Sequence, residues 1–586
     1  MLRLRSLLPV LLIALAPVSA AHAEIPGATD AATRAAAAKL ASGGLGTCAI
    51  DPAQTVQCWG DDHFGQLLNG DDTAVGANPG EGPLPIFLDR GVQVSSVAYS
   101  AQHVCALSTT GGVWCWGNDI YGQLGDAARG NGVGDDPGER AVKVAIPPAT
   151  QVAVGDDFSC AVLTDGSVDC WGRNANGQLG RGTVDDNGYG PGPVALGGKK
   201  ATAISARAGH VCALVEGSEL RCWGSNSLGE SGVVPPAYPA STSISTPVKP
   251  TILAAGDVPI AVALGTQFGC AILTTGAVRC WGSAQAGQML TGKQNAIGAT
   301  AKTPAETAAQ PNIGGTGKAK AIATGTDTVC VIRTDDKLAC WGKNDSGMLG
   351  IGLLPGGGNW GDGKDASDQP ETTAKLIDLG PGRTAAAVSI GIFHTCVLLT
   401  TGAPVCWGGS GSGQWGTGEK GSYVTAAART AVTFSGPLPD TDGDGLPDRF
   451  DTCPAQPAQT ADGCPVAAVV TPTPTPTPQP PVVKTPPTKT PAPATLDGKK
   501  VSFDVSLTPS KSGTCPAKAT LEIKAGSKSA AKTSVKLKKT GTGKKTTCRA
   551  KGSITLKAKP KSGSKVTAKF SGSGVKSKTV TVDTDA

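Results

Sequence analysis

The stretch "DTDGDGLPDRFD", Asp440 to Asp451, places five aspartates in twelve positions. Numbered as a twelve-residue calcium loop, Asp440, Asp442 and Asp444 take positions 1, 3 and 5. Gly445 takes position 6, where the chain must turn sharply. Leu446 offers its carbonyl at 7, Asp448 stands at 9 and Asp451 at 12. Hard oxygen donors at these intervals predict calcium as the bound ion. Asp at position 12, where a bidentate Glu is usual, predicts weak affinity.

Cysteine supplies the other chemistry. The chain has 18 cysteines, 5 histidines and no Cys-x-x-Cys pair, which argues for disulfides rather than zinc. Fourteen cysteines form seven pairs, each ten residues apart: Cys48 with Cys58, Cys105 with Cys115, Cys160 with Cys170, Cys212 with Cys222, Cys270 with Cys280, Cys330 with Cys340, and Cys396 with Cys406. Trp-Gly follows every second cysteine. If Cys105 and Cys115 stand opposite each other in a β-hairpin, the pairing runs inward and leaves Thr109-Thr110-Gly111 as a three-residue loop. Such loops end on a residue in the left-handed region, usually glycine. That position is Gly111, Gly166, Gly276 and Gly402 in four copies and Asp336 in a fifth, whereas Gln54 and Ser218 depart. Turn chemistry and cysteine register therefore predict one cross-strand disulfide per hairpin, worth roughly 2–3 kcal/mol each. Cys453 with Cys464 and Cys515 with Cys548 are the expected remaining pairs.

No catalytic constellation stands out. His103, His210 and His394 each lie two residues before a first cysteine, where other copies carry Phe158, Phe268 and Gly46. A position that accepts His, Phe and Gly is a packing position. No nucleophile motif or nucleotide loop is convincing.

These residues must be positioned by a repeating element. A further glycine stands seven residues after each second cysteine: Gly65, Gly122, Gly177, Gly229, Gly287, Gly347 and Gly413. Seven copies at intervals of 52 to 66 residues point to a propeller or solenoid. Side chains alternate across a strand, so the Trp after each cysteine faces away from the disulfide and packs on a neighbour.

The segments "HTCVLLTTGAPVCWGGSGSGQWG" and "FSCAVLTDGSVDCWGRNANGQLG" resemble the regulator-of-chromosome-condensation repeat family. The family's glycine five before the first cysteine appears as Gly43, Gly155, Gly265, Gly325 and Gly391. The resemblance covers about residues 30–436 and implies a seven-bladed β-propeller with four-stranded blades. The cysteine pairs resemble those of exported bacterial members. Two closing segments are expected to share one blade: "AAAAKLASGG", its latter half a strand after a short helix, and a strand within Tyr423–Phe434.

The rest of the chain divides by composition. Residues 1–23 read as a signal peptide, with Arg3 and Arg5, an apolar run and a cut after Ala23. The propeller is assigned to 24–436. Residues 437–466 combine the acidic loop with "DTCPAQPAQTADGCP" and resemble a single thrombospondin type 3 repeat. Residues 467–496 are a Pro/Thr-rich spacer. Residues 497–586 carry 21 lysines and arginines against 5 acids, a net +16 within a chain of net +6. Alternating runs such as "SVKLKK" and "VTAKF" predict a small basic β-sandwich-like domain. Its basic face suits an anionic surface, such as a cell-wall polymer or acidic polysaccharide. With only Phe503 and Phe570 as aromatics it lacks a base-stacking platform, so specific nucleic-acid binding is not expected.

The whole chain is thus expected to be all-β, and to be a secreted, non-enzymatic binding scaffold, extracellular or held at the cell envelope. Its propeller would recognise a protein or envelope partner. Two other readings are an exported inhibitor of another enzyme and an enzyme using the propeller's central mouth. An inhibitor calls for an aromatic patch on one face, to which Tyr121, Tyr189, Tyr238 and Trp360 offer a loose match. Trp360, on the long insertion after the sixth hairpin, is the expected binding residue.

Overall fold

The computed structural model describes residues 28–464, except 70–72, 127–139, 186–187, 234–242, 299–307, 353, 355–357, 363–371, 423–424, 459 and 461–463. It also describes the backbone of strands between 494 and 581. The expected signal peptide and most of the Pro/Thr spacer lie outside the described residues. The chain forms two units, 1–468 and 469–586.

The first unit is a seven-bladed β-propeller. Blade 1 shows the plan: strands Leu40–Gly43, Gly46–Ile50, Val56–Gly60 and Leu84–Ile86, paired in sequence order. Blades 2, 3, 4 and 6 repeat it with four strands each. Blades 5 and 7 have three strands; in blade 5 single bridges from Ile297 and Ala309 take the fourth place. First strands of neighbouring blades touch all round the ring, so they line the central axis.

The hairpin expectation holds in all seven blades. In register, Cys48 stands opposite Cys58, Cys105 opposite Cys115, Cys160 opposite Cys170 and Cys212 opposite Cys222. Cys270 likewise faces Cys280, Cys330 faces Cys340 and Cys396 faces Cys406. The Cα atoms are 4.0–4.1 Å apart, the close spacing of a non-hydrogen-bonded antiparallel pair, and all seven disulfides are formed. The third loop residue has positive φ in every copy, including Gln54 (62°) and Ser218 (56°), which lack the favoured glycine. The hairpin register, not the local residue, dictates that turn.

The seven Trp lock blade to blade. Each indole is fully buried. Its Nε1–H donates to the backbone carbonyl of the residue after the recurring glycine in the preceding repeat: Trp116 to Gln66, Trp171 to Gln123, Trp223 to Gln178, Trp281 to Glu230, Trp341 to Gln288 and Trp407 to Met348. The recurring glycines all have φ between 71° and 82°, which turns the chain to present that carbonyl.

Ring closure differs from expectation. Blade 1 is built wholly from residues 40–86, with the short helix Ala31–Ala37 before it. Asp30 caps that helix, its carboxylate accepting from Thr33 N at 2.8 Å. No strand forms among the described residues of 423–434; Ala426–Ala428 is a 3-10 turn, and Val432 N donates to Pro404 O beside blade 7. The seam is closed by the same lock as the other blades: Trp59 Nε1–H donates to Gln414 O at 3.0 Å. Gly418 N bonds Gly76 O, and the Gln57 amide exchanges two hydrogen bonds with Ser435. A shared blade is unnecessary because the turn after blade 7 already reaches blade 1.

The second unit is a seven-stranded antiparallel arrangement in the order 494–497, 500–507, 547–555, 528–540, 518–525, 566–572 and 575–581. Its strands begin at Ala494, inside the expected spacer. The 13-residue strand Lys528–Thr540 pairs with 518–525 along its first part and with 547–555 along its last, so it continues from one half into the other. That shared strand joins the two halves, and strands 500–507 and 575–581 touch although they stand far apart in the order. The expected bridge of Cys515 with Cys548 lies outside the described side chains.

Candidate calcium loop and candidate binding face

The acidic loop folds as its glycines demand, with Gly443 and Gly445 at φ of 72° and 88°. Both Asp440 oxygens accept backbone N–H groups, from Gly443 and from Gly445, at 2.9 Å. Asp440, Asp442 and Asp444 bring one carboxylate oxygen each to within 4.8 Å of one another. Oδ2 of Asp442 and Oδ2 of Asp451 are buried without a hydrogen-bond donor. A buried carboxylate oxygen without a donor is costly unless a cation meets it, so these residues fit a hard divalent ion. The Asp448 carboxylate accepts from Thr441 N and Oγ1 at 2.7 Å each, as Asp440 accepts from two backbone N–H groups. Leu446 buries its side chain, and its N–H donates to Asp444 Oδ1. The Cys453–Cys464 disulfide is formed as expected.

The loop is docked on the propeller. Arg90 of blade 1 donates to Asp444 Oδ2 at 3.0 Å and to the carbonyls of Ala458 and Thr460. Against the effect of burial, the N–H groups of Ala458 and Leu446 and the Arg90 cation hold the Asp444 carboxyl below its ordinary pKa. Phe450 stacks on Phe87 with ring centroids 5.3 Å apart, and the Arg140 guanidinium lies 5.4 Å above Phe450.

Trp360 is half-buried and tucked against the propeller rather than held out on the insertion. It exchanges backbone hydrogen bonds with Gly342 at the edge of blade 6. Its indole donates to Thr373 O at 2.8 Å, and the Lys375 ammonium sits 3.6 Å above the ring. The ring packs against the cores on both sides, so the insertion pins itself with its one aromatic.

The three recurring histidines are structural, as expected, and all are fully buried. His103 and His394 place Nε2 at 2.8 Å from Ser159 Oγ of blade 3 and Thr47 Oγ1 of blade 1 respectively. Burial pushes His103 down to about 3 and His394 to about 4, so both are neutral ties between blades.

A different surface gathers apolar groups. In an antiparallel blade the loops after the first and third strands emerge on one face. On that face blade 7 presents Ile392 and Phe393, blade 1 Leu45, His63 and Phe64, and blade 2 Ile120 and Tyr121. Ile120 is 59% exposed and Phe393 38%. Ile392 N donates to Gly44 O at 3.0 Å, which joins the blade 7 and blade 1 loops. Arg173 of blade 3 lies 4.6 Å over the Tyr121 ring. Elsewhere on the face Asp157 pairs with Arg173 and Asp345 with Lys343. Sequence reasoning named Tyr121 but missed the others, which lie in separate loops brought together only by the ring.

Family models for the regulator of chromosome condensation (RCC1) repeat match residues 94–123, 149–178, 260–288, 319–347 and 385–414, and a second matches 110–162 and 165–214. The propeller is built of RCC1 repeats. The ultraviolet-B receptor UVR8 of Arabidopsis thaliana is 26% identical over 383 residues, covering 65% of this chain and 78% of the receptor. The E3 ubiquitin-protein ligase HERC2 of Homo sapiens is 32% identical over 191 residues, 32% of this chain but only 4% of the ligase. Among solved structures, yeast RCC1 (Prp20) bound to Kap60 has a TM-score of 0.51 at 18% identity, covering 74% of this chain and 92% of that one. Human WBSCR16 has a TM-score of 0.50 at 19% identity, covering 66% and 95%. At these identities the structures establish the RCC1-type propeller fold. No helix among the described residues is long and apolar enough to cross a membrane.

Proposed function

We propose that this protein is a secreted, non-enzymatic binding scaffold that recognises a protein partner through the face shared by blades 7, 1 and 2. The observation that carries this reading is the exposed cluster of Ile120, Phe393 and His63 with half-buried Leu45, Phe64, Tyr121 and Ile392. Apolar and aromatic groups gathered on a rigid face are the usual anchors of a protein interface. RCC1 repeats and the relation to yeast RCC1, which binds Kap60, support a protein rather than a small molecule as partner. Calcium held by Asp440, Asp442, Asp444 and Asp451 stiffens the junction that Arg90 docks on blade 1. The basic second unit tethers the scaffold to an anionic envelope surface. The aromatic cluster also suits an exported inhibitor of another enzyme, whose target would occupy the same face. The test is affinity capture from the producing organism's envelope and culture medium with the full chain and with Ile120→Asp combined with Phe393→Asp. A partner retained equally by both proteins refutes this face; a captured enzyme whose activity falls on binding selects the inhibitor reading.

A further inference from the structure

The position five before the first cysteine is glycine in five blades, Ser100 in blade 2 and Arg207 in blade 4. Arg207 ends the first strand of blade 4 opposite His210, as Gly43 stands opposite Gly46 in blade 1. Glycine suits this site because a Cβ has no room. On Gly155 it would lie 1.9 Å from the Phe158 ring, on Gly391 2.3 Å from His394, and on Gly43 1.9 Å from Ser100 O. Blade 4 admits a long side chain by a different turn, in which Ala208 takes a φ of 47°.

The result is a cation in the wall of the central cavity. That cavity has a volume of about 190 Å³ and runs between the first strands, with Ala37 of the N-terminal helix at its other end. Arg207 lines it, and its guanidinium makes no hydrogen bond or ion pair among the described residues. Asp156 of blade 3 acts on it at longer range, and the neighbouring His394 is neutral. Burial lowers the Arg207 pKa while Asp156 opposes this, but a guanidinium stays charged at neutral pH. It offers five N–H donors, and a part-buried cation needs acceptors to offset its lost hydration. Ser96, Ser205 and Thr324 line the same cavity, and none has a side-chain hydrogen bond among the described residues. Most of the remaining wall is Ala, Val, Leu and Ile. At about 30 Å³ per water, the space equals roughly six waters, enough for an anion the size of phosphate or acetate.

We propose that the central cavity is a binding site for a small oxyanion, held by Arg207 with the hydroxyls of the wall as further donors. This site lies inside the ring rather than on the loops of blades 7, 1 and 2, and stands whether or not those loops have a partner.

The probe is inorganic phosphate, with acetate as a second arm and chloride at matched ionic strength as the control. Isothermal titration of the full, disulfide-bonded protein should show saturable one-to-one binding, weakened about ten-fold or more in Arg207→Gln. Phosphate should raise the melting temperature of the unaltered protein and not of the variant, because a ligand selective for the native state stabilises it. Arg279→Gln, which alters a guanidinium paired with Asp257 at the rim of blade 5, should leave binding unchanged. Should Arg207→Gln fail to fold, crystals of the unaltered protein grown with selenate decide: selenium beside Arg207 supports the site. No saturable binding, equal binding by a folded Arg207→Gln variant, or selenium only outside the cavity overturns it.

Discussion

Replacing Trp59 by Phe probes whether the ring is closed in solution. The Trp59 indole is fully buried and its N–H donates to Gln414 O, 355 positions away in the chain. Phenylalanine leaves that carbonyl without its donor, a loss of about 1–3 kcal/mol. It also removes about three buried heavy atoms, worth roughly 2 kcal/mol at 0.8 kcal/mol per methylene-sized group. The expected cost is therefore about 3–5 kcal/mol. Trp223→Phe is the matched control, because Trp223 donates to Gln178 O at 2.8 Å between blades 3 and 4, close in sequence. Thermal unfolding with disulfides intact should show similar falls in melting temperature for the two variants. Hydrogen exchange should separate them: Trp59→Phe should speed exchange locally at residues 410–418, and Trp223→Phe should not. If Trp59→Phe is neutral while Trp223→Phe destabilises, the seam is open and the closure described above is wrong.

Calcium titration of the full chain should give a dissociation constant of roughly 10⁻⁴–10⁻³ M, and Asp442→Ala with Asp444→Ala should abolish the heat; unchanged heat in that variant rules out the loop as the site. Trp360→Ala should lower the melting temperature and leave partner binding intact, because the indole bridges Thr373 and Lys375 against the core; weaker binding at unchanged stability would restore it as a contact residue. Acid should destabilise the propeller earlier than its carboxylates alone would: His103 and His394 have native pKa values of about 3 and 4, below the ordinary 6.5. The unfolded chain therefore takes up protons the native one refuses, and stability is lost as pH falls from about 6.5 toward 4, by roughly 1.4 kcal/mol per pH unit for each histidine. His103→Phe, the residue type at 158 and 268, should flatten the slope of stability between pH 6 and 4.5; an unchanged slope refutes the assignment.

Much of the fold is legible because it is written seven times. The ten-residue cysteine spacing sets a register, the register sets a three-residue loop, and the loop requires positive φ even at Gln54 and Ser218. The Trp after each second cysteine is legible as packing, but not its partner: a donor to a backbone carbonyl in the preceding repeat has no residue-type signature. Closure escapes the sequence for that reason. Residues 423–434 have strand-like composition, yet the bonds that join the ends come from Gln414, Gly418 and Ser435. Loop numbering places Asp448 among the expected ligands but gives no sign of Thr441, seven residues earlier, which donates to both of its oxygens. Arg207 is visible as a departure from the glycine column, and only the cavity behind it gives the departure a chemical meaning.

The binding face depends on the seam. Ile392 and Phe393 belong to the last blade, and Leu45, His63 and Phe64 to the first. They share a surface because the chain's two ends meet, through Ile392 N with Gly44 O and Trp59 with Gln414 O. Opening this one interface would divide the apolar cluster, whereas loosening any joint between blades 2 and 7 on the far side of the ring would leave it whole. The docked acidic loop lies on the same sector, held by Arg90 of blade 1 and packed on Phe87. Closure lock, acidic loop and proposed binding face therefore converge on blade 1. If the loop holds calcium as proposed, stiffening it should stabilise the blade at the centre of that face, and added calcium should then raise partner affinity without any contact between ion and partner.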